Sequence, residues 1–409
     1  MNFLSTIAIP VFVLAFIGVA MGELPGLKMN RTTIALTAAV LMVALQIITP
    51  SEALKAIDPG TLLLLFAMMV INVHLEMAGF FNWIGQLISR HTRSPRILLA
   101  WIVTIAGITA ALFLNDTVAV VFTPLVLEVT RSLRRNPLPY LLGLATAANI
   151  GSTATIIGNP QNILIGSSSH ISFAVFLGKL GPVALVGLIL TWIILVNLYQ
   201  TEFKQFWETQ DTDINKVEID QALLRKSLVL TCLMITAFMI GIPIQLAAIA
   251  VAAALLISRR IQPEAIFKQV DWSLLVFFTG LFIITGALEQ MHIVDQLFAL
   301  AQPVIGAGIG SLAIVTALLS NLISNVPAVL LLRPIIPELG NPERAWLTIA
   351  MASTLAGNLT LLGSVANLIV AEIARTQGVK LSFREYIRAG VPITLVTILV
   401  GIFWLSVVA

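Results

Sequence analysis

Residues 149–169 read NIGSTATIIGNPQNILIGSSS, and residues 356–367 read AGNLTLLGSVAN. Both stretches lie in apolar sequence long enough to span a membrane, yet neither can be one regular helix. Pro160 removes a backbone donor and pushes Asn159 out of helical geometry. Gly151, Gly158 and a run of hydroxyl and amide side chains surround it. A lone Gly or Pro in a transmembrane helix usually marks packing or a kink. Two matched interruptions mean something else, because unwound backbone at membrane depth survives only where it is buried in protein or lines a watery cavity. Paired breaks in the two halves of a chain point to the binding site of a secondary transporter.

The composition around these breaks is that of a bilayer protein. Of 409 residues, 58% are hydrophobic and 11% charged, against roughly 25% charged in an ordinary soluble domain. Stretches such as Phe3 to Ala20, Thr32 to Thr49, Thr61 to Gly79 and Phe173 to Tyr199 meet the requirement of about 17 to 25 residues for a spanning helix. The expected fold is all-α and polytopic, with about 10 to 12 membrane segments. The first stretch has no basic leader or small-residue cleavage site, so it is expected to be a retained membrane helix. Cys232 is the only cysteine, which excludes a disulfide framework or thiolate cluster. No phosphate-binding loop of the G-x-x-x-x-G-K type occurs. Transport driven by ion gradients, without an ATPase domain or cofactor, is the expectation. The net charge of +3 does not call for nucleic acid.

The chain repeats itself. Asp58 and Glu76 match Asp271 and Glu289 at an offset of 213, and NDTVAVVFTP from Asn115 matches NVPAVLLLRP from Asn325 at 210. TATIIGNPQNILI from Thr153 matches NLTLLGSVANLIV from Asn358, and Ser172, Phe173 and Pro182 match Ser382, Phe383 and Pro392. Lys and Arg near helix ends favour the cytoplasm. Lys28 with Arg31, Arg90 with Arg93 and Arg96, and Arg131 with Arg134 and Arg135 are the basic loops of the first half. Arg259, Arg260, Lys268, Arg375, Lys380, Arg384 and Arg388 serve the second half. Placing all of these inside puts the N-terminus outside and inverts the second unit. The stretch Ile97 to Thr130 then has cytoplasmic flanks at both ends and must turn back at Asn115-Asp116-Thr117, either as two short spanning helices with a tight external turn or, favoured because the tip has no ordinary loop residues, as a re-entrant hairpin. Its mate turns at Ser324-Asn325-Val326-Pro327.

The predicted organisation is scaffold helices in 1–57, a first inverted repeat in 58–199, a cytoplasmic linker in 200–226, scaffold helices in 227–270 and a second repeat in 271–409. Each repeat holds a re-entrant hairpin (about 97–130 and 297–333) and a broken helix (about 140–170 and 345–372). Asp116 is the sharpest functional signal, since a carboxylate at mid-membrane costs about 2.5 to 3.5 kcal/mol even on the lenient insertion scale. Glu76 and Glu289 fall near helix ends, where structural roles are expected. Arg333 and Arg344 read as interfacial anchors, and His74, His91, His170 and His292 have no ligand spacing. A passive channel would not need two mobile breaks. An intramembrane enzyme would need a nucleophile with its base, or paired carboxylates, and neither is evident.

At LFLNDTVAVVFTP, NIGSTATIIGNPQNILI, SNVPAVLLL and TLLGSVANLIV the chain resembles the ion transporter superfamily over essentially its whole length. The likeness is strongest to the arsenite permease and sodium/proton antiporter branch, with a fold like that of citrate and divalent anion/sodium transporters. The resemblance implies an elevator-type transporter in the plasma (inner) membrane, expected as a homodimer, with a separate ATPase subunit as a further candidate partner. By position it implies substrate binding by Asn115, Thr117, Thr155, Gly158, Asn159, Asn162, Asn325, Thr360, Gly363, Ser364 and Asn367. It implies ion coupling, by H+ or Na+, at Asp116, with sodium near Asn115, Asp116 and Gly158. Sodium-coupled dicarboxylate relatives carry Ser-Asn-Thr at both tips, from which this chain departs. Proton-coupled efflux of arsenite, antimonite or a similar small inorganic anion is the leading expectation. Sodium/proton antiport and sodium-coupled dicarboxylate or citrate transport are the alternatives.

Overall fold

The structure, a computed structural model, describes residues 3–22, 26–91, 94–204, 219–258, 261–291 and 302–408. Arg93, most of the linker with Asp211, Asp213, Lys216 and Glu218, the pair Arg259 and Arg260, His292 with the loop to Gln296, and residues 297–301 of the second hairpin lie outside them. Among the described residues the chain is helical, and six helices are long and apolar enough to cross a membrane. The two longest, Phe173–Leu198 and Phe383–Val408, bury only 33% and 28% of their apolar windows. Leu185, Ile189, Leu399 and Phe403 stand exposed on them. Such faces suit lipid and would be a liability in water. The chain is a multi-pass membrane protein.

Capping chemistry starts the helices where the sequence signals it. Asp58 accepts from Gly60 N (2.9 Å) and the Thr61 hydroxyl (2.6 Å) at the head of Pro59–Met77. Its repeat mate Asp271 accepts from Leu274 N (3.1 Å) at the head of Trp272–Gln290. Side-chain caps of this kind are worth about 1 kcal/mol each. The first hairpin is Pro95–Leu112 and Asn115–Ser132, joined by two extended residues, Phe113 and Leu114. The second is Ile309–Ile323 and Asn325–Leu332, joined by Ser324 alone. Ser324 pays for that tight reversal with φ +81° and ψ 157°, a region that is essentially glycine territory.

The first broken helix runs Leu138–Ser152 and resumes at Pro160–Ser169. The second runs Pro342–Ala356 and resumes at Val365–Thr376, with a short 3₁₀ turn, Leu361–Gly363, inside the gap. These helices form the centre: every residue from Pro139 to Ser152 and from Ala345 to Ala356 is buried. Pro95–Leu112 packs along Leu138–Ser152, Ile309–Ile323 along Pro342–Ala356, and Phe173–Leu198 against Phe383–Val408. A second set of helices packs among itself: Arg31–Ala44 with Trp272–Gln290 and Phe3–Met21, and Pro59–Met77 with Ile244–Leu256. Thus the opening helix of each repeat sides with the helices outside the repeats.

Candidate functional site

Each break is held open by its own asparagine. Asn162 Nδ2 donates to Ser152 O (3.0 Å) and Thr155 O (2.9 Å). Asn367 Nδ2 donates to Gly357 O (2.7 Å) and Thr360 O (3.3 Å). The four acceptors are repeat mates, so the same amide solves the same problem twice: carbonyls freed by unwinding need donors where water is scarce. Asn159 starts the second half of the first break by accepting from Asn162 N (2.8 Å).

The breaks also hold each other. Ser364 Oγ donates to Asn149 Oδ1 (3.0 Å), and Asn159 Nδ2 donates toward Thr354 Oγ1 (3.3 Å). Asn149 and Thr354 are mates in the repeat, as are Asn159 and Ser364, so the bonds are reciprocal. Asn149 Nδ2 further donates to Asn358 Oδ1 (2.9 Å) and Asn367 Oδ1 (3.1 Å), and its carbonyl accepts from Asn115 Nδ2 (3.0 Å). One buried amide thereby ties the first hairpin tip to both broken helices.

The tips dock onto the breaks by backbone as well. Asn115 N donates to Gly158 O (3.0 Å), and Thr155 Oγ1 donates to Ala111 O. At the other tip Asn321 Nδ2 donates to Ala356 O (2.8 Å), Thr360 Oγ1 to Asn321 Oδ1 (3.4 Å) and Ser320 Oγ to Ser353 O (3.0 Å). A Cβ on Gly158 would come within 2.4 Å of Ser152 O, which explains the glycine there.

Where both tips meet both breaks lies a cavity of about 160 Å³. Of the residues predicted from sequence, Asn115, Asp116, Asn325, Gly363 and Ser364 line it. Thr117 lines a neighbouring cavity and accepts from Asn72 Nδ2 (3.2 Å). Thr155, Gly158, Asn159, Asn162, Thr360 and Asn367 are not on the wall; they belong to the hydrogen-bonded layer behind it. Sequence reasoning missed Arg31, Gln161 and Asp271 on the wall and Asn149, Thr354 and Asn358 in the layer behind. Arg31 reads in the sequence as a loop charge and Asp271 only as a repeat marker. Asn149 had one legible signal, its place at the opening of the break.

Among its described residues the wall carries one cationic side chain and two carboxylates, beside neutral polar and apolar neighbours. Arg31 is near enough to Asp116 for their charges to interact, and Asp271 stands beside them. Asn115 Oδ1 is buried without a hydrogen-bond partner, although its Nδ2 is engaged. An unpaired buried acceptor costs about 1 to 3 kcal/mol, so this tip is held at some expense to the fold.

A family model described as a citrate transporter matches residues 12–356. The silicon efflux transporter LSI3 of Oryza sativa subsp. japonica is 33% identical, over 93% of this chain and 93% of that protein. A protein of Dictyostelium discoideum named arsB is 27% identical, over 92% of this chain and 87% of its own. Among solved structures, the Alcanivorax borkumensis YdaH transporter is similar in fold, with a TM-score of 0.59 at 16% identity, covering 99% of this chain and 97% of that one.

Proposed function

This chain belongs to the citrate transporter family, and from that premise we propose that it exports a small, hydroxyl-bearing oxyacid of the arsenous, antimonous or silicic acid class in exchange for a proton or sodium ion. The observation that carries the reading is the cavity built from both hairpin tips and both breaks, on whose wall Asn115 and Asn325 stand beside the carboxylates Asp116 and Asp271. An undissociated oxyacid brings O–H donors to these oxygen-bearing side chains, and a fully ionised anion does not. The charges agree with this. Arg31 is the one cationic side chain among the described residues of the wall, and Asp116 and Asp271 oppose it. A citrate or dicarboxylate anion would need the balance reversed, which sets this member apart from what its family's name suggests. Relatives named for silicon efflux and arsB support the same class of solute.

Coupling falls to Asp116, which can take up a cation as access to it alternates. Alternating access is an elevator movement of the hairpins, breaks and closing helices against the other helices, in a homodimer in the plasma membrane. The test is uptake into everted vesicles of arsenite, silicic acid, citrate, sulfate and sodium under an imposed proton or sodium gradient. Arsenite or silicic acid should accumulate. Asp116→Asn should abolish uphill accumulation while leaving solute exchange intact. Accumulation of citrate in preference to either oxyacid would overturn the assignment.

A further inference from the structure

Beside the solute cavity lies a second one, of about 260 Å³, whose wall includes Asp116 and Asp271 but not Arg31. Among its described lining residues there is no Lys or Arg. Glu76 and Asn72 of helix Pro59–Met77 and Thr117 of the hairpin complete its polar side. Glu76 is exposed, whereas Asn72 is only 2% exposed. Asn72 donates through Nδ2 to Thr117, and its Oδ1 is buried without a partner. Two neighbouring cavities thus share Asp116 but differ in charge: a guanidinium stands at one, and the described charged groups lining the other are all carboxylates.

We propose that this second cavity is the cytoplasmic route of the coupling cation to and from Asp116, with the exposed Glu76 at its mouth and Asn72 and Thr117 along its wall. The proposal rests on the reading of Asp116 as the coupling residue. A cation leaving water needs oxygen ligands in place of its hydration shell. Asn72 and Thr117 line the cavity together with the exposed Glu76 and with Asp116, and their side-chain oxygens are the neutral ligands at hand. Three carboxylates, Glu76, Asp116 and Asp271, make the passage attractive to cations, and Arg31 beyond Asp116 keeps them from the solute side. Separate paths let solute and cation exchange without competing for one opening. With the basic loops inside, the end of Pro59–Met77 bearing Glu76 is cytoplasmic, so this is the inner half of the cation's path.

The experiment uses the full chain in proteoliposomes, following arsenite, or silicic acid where the panel selects it. One arm imposes a pH gradient in sodium-free choline medium and the other a sodium gradient at fixed pH, so the two cation sources are told apart. Glu76→Gln should raise the half-saturating cation concentration about three- to tenfold, with solute KM and solute exchange unchanged. Asn72→Asp, which keeps the shape and adds a charge, should lower that concentration. Opposite shifts of this kind are beyond a folding defect, which moves both variants the same way. If neither variant shifts the cation dependence while Asp116→Asn abolishes coupling, the route is wrong and the coupling residue stands. If Asp116→Asn retains wild-type coupling, the reading on which the route rests fails first.

Discussion

Asn149 shows how much one side chain can decide. Its amide accepts from Asn115 and Ser364 and donates to Asn358 and Asn367, so Asn149→Ala strands groups on one hairpin and on both sides of the second break. Each stranded buried group costs about 1 to 3 kcal/mol. We expect Asn149→Ala to lower the melting temperature in detergent by several degrees and to abolish transport in the protein that remains folded. A melting curve and a flux assay on the same preparation check both. Asn115→Ala is expected to differ: it removes a tip side chain that lines the cavity along with a single bond to Asn149, so loss of solute affinity should exceed loss of stability. The tip residues of this site were legible because an amide or carboxylate in mid-membrane has few bland explanations. Arg31 and Asp271 were not, because a charge at a helix end is ordinary in any sequence and only the fold brings these two ends beneath the tips.

At the scale of elements, the breaks work because the helices bearing them press close to the hairpins. Gly151 of the first broken helix meets Gly107 of the first hairpin backbone to backbone, and a Cβ on Gly151 would lie 2.1 Å from Gly107 O. Neither backbone can yield without parting the helices. Gly151→Ala should therefore destabilise by about 1 to 3 kcal/mol, read as a lower melting temperature, while Gly178→Ala, with open space around its would-be Cβ, should be neutral. Hairpins, breaks and their pairing could be read from sequence because Pro, Gly and loop charge act locally. The layered division between wall and backing could not. Asn162 and Asn367 carry the same amide chemistry as Asn115, and only tertiary packing settles which amide faces the solute and which props up the backbone.

For the whole molecule the expected motion is of one group of helices past the other, and the solute cavity is where the two groups face each other. Ser273 belongs to a helix packed on Arg31–Ala44, Val326 to the second hairpin, and both line that cavity. A Ser273→Cys, Val326→Cys pair in a Cys232→Ser background, bridged by a short bifunctional thiol reagent, should arrest flux and recover it on reduction. Undiminished flux through fully bridged protein would exclude the elevator movement. The reciprocal bonds between the two breaks carry a last consequence. Bonds that recur with their partners exchanged are the trace of an approximate two-fold axis in the membrane plane, so the amide layer offers nearly the same groups to both faces of the bilayer. The hairpin tips do not obey the axis. The mate of Asp116 is Val326, and Asp58, the mate of Asp271, does not line the cavity, so the sidedness of an otherwise ambidextrous site lies in its charged groups.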